Sequence, residues 1–155
     1  MKNLFLFIFC GFSFYSYAQV HSAITPEASS FYNYAMQSIK PEIKNLIRKK
    51  ANSLKGKTIN TESLSDALKK EPLLHKMNQH DLEAISVLIM VQVSENTDAD
   101  LKNLVMKMRR KNEQSTFDSI KTETLLDQKS DIAKSINMAM KKISPSQESA
   151  INNLK

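Results

Sequence analysis

Cysteine, glycine and tryptophan are nearly missing from this chain, which has one Cys, two Gly and no Trp in 155 residues. The lone Cys10 sits inside an apolar N-terminal segment. A chain processed beyond it has no disulfide, no thiol nucleophile and no thiolate metal ligand. Gly56 is the only glycine after Gly11, which excludes a glycine-rich phosphate cradle and a G-x-S-x-G nucleophile elbow. Past the N-terminal segment the aromatic residues are Phe31, Tyr32, Tyr34 and Phe117. They are too few to interleave with basic residues as stacking platforms for bases, which argues against nucleic acid. His21, His75 and His80 have none of the recognised ligand spacings. The carboxylates are scattered, and the chain is poor in the loops that usually carry catalysis. The expectation is a non-enzyme with no cofactor, no metal site and no small-molecule substrate.

The first eighteen residues read as an export signal rather than as fold. Lys2 gives a positive start, Leu4–Phe9 with Phe12 and Phe14 an apolar core, and Ser16-Tyr17-Ala18 small residues at the −3 and −1 positions of a cleavage site. The apolar run is shorter than the ~20 residues of a membrane span and is interrupted by Gly11 and Ser13. Residues 1–18 are therefore expected to be a signal peptide, and residues 19–155 one exported domain, periplasmic or extracellular, with a loose terminus over 19–24. Without Lys2, 21 basic and 16 acidic residues leave a formal charge of about +5.

What remains is rich in Ala, Leu, Ile, Met and Lys, the composition of an all-α fold: a small bundle of about five helices. Its centre is Leu82–Val93, the most continuously apolar stretch of the processed chain. Asn78 and Asp81 have the spacing of a helix-capping box in front of it, and Met77 and Leu82 that of a hydrophobic staple. Alternation of Val87, Ile89, Val91 and Val93 also fits a strand, but no partner strand or glycine-rich turn accompanies it.

Around this stretch the periodicity is helical. Thr25-Pro26-Glu27 starts a helix that carries Phe31, Ala35, Ile39, Ile43, Leu46, Ile47 and Leu54 on one side, with a kink or break expected before Pro41 and a stop at Gly56. A second, short helix is expected over Thr61–Glu71, followed by Leu73 and Leu74 tucked under the connection. Ser94–Thr97 reads as a polar break, with Thr97-Asp98-Ala99-Asp100 starting the next helix and Leu101, Leu104, Val105 and Met108 on its apolar side. Lys111–Ser115 is either an exposed part of one long helix or a turn before a cap at Ser115-Thr116. Ile120, Leu125, Ile132, Ile136, Met140 and Ile143 form the following stripe. Ser144-Pro145-Ser146-Gln147 reads as a capping box for a tail helix bearing Ala150, Ile151 and Leu154.

Three features bear on partners. Ile132, Ile136, Ala139 and Ile143 step four, three, four, the spacing of a coiled-coil seam, and either recruit another helix (self or foreign) or pack on the central one. Arg48, Lys49 and Lys50, with Lys107, Arg109, Arg110 and Lys111, offer cations to an anionic surface or polyanion. They lie toward helix ends, where they also complement the helix dipole, and an antiparallel bundle spreads such ends apart. Met106–Met108 and Met138–Met140 are M-x-M pairs, the ligand type of a copper carrier, but residues two apart on a helix point about 200° away from each other. The sequence thus points to an interaction or structural role, with a membrane-surface or polyanion binder as the alternative and a copper carrier behind both.

Overall fold

The computed structural model describes residues 23–111 and 116–155. The signal pattern, Cys10, and the turn and cap expected within 112–115 lie outside them. Every regular element among the described residues is helical. Helix α1 spans Pro26–Ser38, α2 Pro41–Ser53, α3 Thr61–Leu68, α4 Gln79–Lys111, α5 Thr116–Ile143 and α6 Gln147–Leu154, with single 3-10 turns at Pro72–Leu74 and Ser144–Ser146.

The starts of α1, α3 and α4 follow from local chemistry. Thr25 accepts from the Ala28 N–H at 3.3 Å with Pro26 in the first turn, and Asn60 accepts from the Glu62 N–H at 2.8 Å. At α4 the box is reciprocal: Asn78 Oδ1 accepts from the Asp81 N–H at 2.9 Å, and Asp81 Oδ2 from the Asn78 N–H at 3.3 Å. Pro41 ends α1 outright: Ile39 and Lys40 are extended, and α2 restarts at Pro41 itself. The Lys40 N–H, freed by this break, donates to the Leu154 carbonyl at 3.1 Å and ties the corner to the C-terminus. Gly56 closes the turn after α2 with φ +76°, a conformation that disfavours any residue bearing a Cβ.

Leu82–Val93 is the buried centre of the bundle. Ile85, Val87, Leu88, Ile89, Met90 and Val93 have no exposed surface, and α1, α2, α3, α5 and α6 all pack on α4. The helical reading holds and the strand alternative falls. The coiled-coil spacing is used inside the chain: Ile132, Ile136, Ala139 and Ile143 are all buried, so this seam presents no face to another helix. Helix α5 runs antiparallel to α4, with Thr122 beside Met108 and Lys129 bridging Asp98 at 2.5 Å.

Several local expectations are corrected. Ser94–Thr97 is not a break, because α4 continues through it for 33 residues. Ser94 and Thr97 are buried, and the Thr97 hydroxyl donates to the Val93 carbonyl at 2.9 Å, satisfying itself within the helix. The polar residues around them reach sideways rather than cap: Asn96 to Asn52 at 3.1 Å, Asp98 to Lys129, and Asp100 to Lys55 at 2.6 Å. Helix α3 stops at Leu68, three residues early, because Pro72 sets a 3-10 turn in which Leu74 is buried but Leu73 is 46 % exposed. Ser144-Pro145-Ser146 forms a 3-10 turn, and α6 begins after it with no side-chain cap; Ser146 Oγ donates instead to the Ile143 carbonyl at 3.2 Å. Within the segment expected to be loose, the Ala23 carbonyl accepts from Asn137 at 3.3 Å and Ile24 packs on the core.

Candidate functional site

The distal half of the α4–α5 hairpin behaves unlike the rest of the bundle. Among its described residues between Leu101 and Asp131, only Leu104 and Asp118 are buried. The other helices cover the first half of α4 and leave this part as a two-helix arm. Of the seven large apolar side chains that stand exposed among the described residues, four are here: Val105, Met106, Phe117 and Ile120. Val105 and Ile120 were expected in buried stripes, but they stand 38 % and 58 % exposed.

At the root of the arm lies a groove of about 380 Å³. Leu104 of α4 and Leu125 of α5 contribute its apolar lining, and Asp100, Asn103, Lys107, Lys121 and the Lys55–Gly56 turn complete it. The turn reaches this position because Gly56 redirects the chain after α2 and because Lys55 bridges Asp100. That bridge neutralises Lys55. Lys107 and Lys121 have no ion pair or hydrogen bond among the described residues, so two uncompensated ammonium groups line one groove. The sequence suggested that an antiparallel bundle separates its basic ends; α2 instead runs alongside α4 in the same direction, with Asn52 beside Asn96 and Lys55 beside Asp100, so the turn after α2 reaches the middle of α4 and the groove that Lys107 also lines.

The remaining sequence candidates divide. Arg48 and Lys49 are exposed on α2 away from the groove lining, and Lys50 is held by Glu71. Arg109 is exposed, but two residues from Lys107 it projects from the other side of α4. The side chains of Arg110 and Lys111 lie outside the described residues. Each M-x-M pair is split: Met138 is 63 % exposed and Met140 buried, while Met106 is exposed and Met108 lies beside Thr122. His75 Nδ1 lies 2.6 Å from the Pro72 carbonyl, and the exposed His80 stands 3.9 Å from Glu83. Among the described residues no group of three or more His, Cys, Asp or Glu could hold a metal ion.

Two polar clusters serve the fold. Tyr32, buried on α1, donates to Gln92 Oε1 at 2.6 Å, and Gln92 in turn donates to Glu95 at 3.2 Å and to Asn96 at 3.3 Å. Burial, reinforced by the Glu95 carboxylate, pushes the Tyr32 phenol up to about 12, so it stays a donor. A smaller pocket of about 240 Å³ between α3 and α5 is lined by Glu62, Ser65, Asp66, Gln79, Glu83 and Lys142. Its groups are largely engaged with one another: Gln79 with Ser65 and Glu83, and Lys142 with Glu62 at 3.6 Å.

Lys121, Phe117 and Ile120 are the site residues that the sequence reading missed. Their signal was present: Phe117, Ile120, Lys121 and Thr124 stand at i, i+3, i+4 and i+7, a single helix stripe. Compared with protein-family models, curated proteins and solved structures, the chain matches none.

Proposed function

We propose that this is an exported, non-catalytic binding protein that docks on an anionic partner through the α4–α5 arm. The observation that carries this reading is the convergence of Lys107 and Lys121, both without an anionic partner among the described residues, on one groove lined by Leu104 and Leu125. Unpaired cations at an open apolar-lined groove attract negative charge at long range and bury apolar surface on contact. Export rests on the three-part N-terminal pattern ending at Ala18. The alternative interaction surface, the Ile132–Ile143 seam, is buried in the bundle and has no face to give a partner.

Retention on immobilised heparin, a general polyanion, tests the reading. Lys107→Glu with Lys121→Glu should elute at markedly lower salt than the parent. Lys49→Glu with Lys70→Glu makes the same change in net charge at exposed positions outside the groove and should shift elution far less. Equal shifts from both double variants would reduce the effect to net charge and overturn the assignment of the arm.

A further inference from the structure

We infer that the anionic partner is a phospholipid surface, met by the outer stripe Phe117, Ile120 and Lys121 of α5 together with Lys107 across the groove. This rests on the docking reading above and adds the chemical identity of the partner.

The shape of the site favours a lipid surface over a peptide. Asp100 and Lys107 bound the groove along α4, which makes it only about 10 Å long at 1.5 Å per residue, and the Lys55–Asp100 bridge crosses its root. A partner helix needs anchors over at least i to i+7, about as long as the whole groove, and would run into that bridge. The apolar residues beside the groove are not recessed. Phe117 is 72 % exposed and Ile120 58 % exposed, and both stand outside the groove lining. Side chains placed in this way are covered by a medium that they enter, and a bilayer interface accepts aromatic and aliphatic side chains at the headgroup boundary.

The charge fits the same surface. Lys121 interrupts the apolar stripe and shares the groove with Lys107, which suits cations meeting lipid phosphates while Phe117 and Ile120 enter the interface. Of the charged side chains that line the groove, Lys55 and Asp100 neutralise each other, which leaves Lys107 and Lys121 as its net charge. Apolar insertion and a basic patch are the two signals that together give stable peripheral binding. Among the described residues no helix is long and apolar enough to cross a membrane, so the contact is with the surface.

The test is co-sedimentation of the processed protein with vesicles of phosphatidylcholine alone and of phosphatidylcholine mixed with phosphatidylglycerol. Binding is expected only to the mixed vesicles and should weaken at high salt. Lys107→Gln with Lys121→Gln should lower partitioning about 30-fold, at roughly a fivefold loss per cation. Phe117→Ser with Ile120→Ser should lower it at least about tenfold, a loss that arises with no change in net charge. Far-UV circular dichroism should be unaltered in both double variants, since all four residues are exposed. Absence of binding to mixed vesicles, or binding that neither double variant weakens, overturns the lipid assignment. If heparin retention still depends on Lys107 and Lys121 in that case, the docking arm stands with a non-lipid partner. If it does not, the docking reading falls as well.

Discussion

Asp81→Ala should be among the most damaging polar substitutions in the chain. Asp81 is 3 % exposed and does two jobs. Its carboxylate accepts from the Asn78 N–H at the start of α4, and it accepts from Asn153 Nδ2 at 3.0 and 3.3 Å, which fastens α6 to the central helix. Loss of the capping interaction costs about 1 kcal/mol. Loss of the two-oxygen carboxylate acceptor for Asn153, an exposed residue whose amide water then takes up, costs about 2 kcal/mol more through the lost charge-assisted bond. The expected total is about 3 kcal/mol; with an m-value near ~2 kcal/mol/M the urea midpoint falls by about 1.5 M at unchanged slope. Asp81→Asn keeps one acceptor oxygen and should lose only about 1 kcal/mol. In a double-mutant cycle with Asn153→Ala, the two sites should couple by at least about 1 kcal/mol. An Asp81→Ala cost below about 1 kcal/mol, or strictly additive double mutants, would refute the idea that this contact closes the bundle.

Two further outcomes follow from buried hydroxyls. Ser94 is fully buried with no hydrogen-bond partner for its Oγ among the described residues, so Ser94→Ala should raise stability by about 1 kcal/mol, read as a higher urea midpoint. A Tyr32 phenol raised from the ordinary 10.0 to about 12 contributes stability that is intact below pH 10 and is lost as pH rises through 12. Tyr32→Phe should therefore cost about 1 kcal/mol at neutral pH, through loss of the bond to Gln92, and should flatten the alkaline limb of the stability profile.

Much of the fold was legible because helix ends are written in neighbouring residues. Thr25-Pro26, Asn78 with Asp81, and the Pro41 break each depend on side chains within four positions, and each behaves as its local chemistry dictates. Ser94–Asp100 was misread because the deciding partners are remote. Whether Asn96, Asp98 and Asp100 break a helix or decorate one turns on Asn52, Lys129 and Lys55, which the bundle supplies from other helices. The site was half legible for the same reason. Lys107 was visible as part of a basic cluster, but its meeting with Lys121 and the Lys55–Gly56 turn is a product of topology. Ile120 fits a buried stripe by spacing as well as Ile132 does. Only the packing of α1, α2, α3 and α6 around the first half of α4 decides that one is 58 % exposed and the other 1 %.

The central claim is that the arm, and not the body, meets the partner surface. An environment-sensitive fluorophore at a single cysteine introduced into the processed protein, which lacks Cys10, tests it most directly. Ile120→Cys places the probe on the arm and Leu73→Cys places it on another exposed position near the opposite end of α4, a helix about 50 Å long. On adding phosphatidylglycerol-containing vesicles, emission from position 120 should shift to the blue and become shielded from an aqueous quencher, while emission from position 73 stays unchanged. A shift at position 73 equal to or larger than that at position 120, or no shift at position 120, would contradict the account.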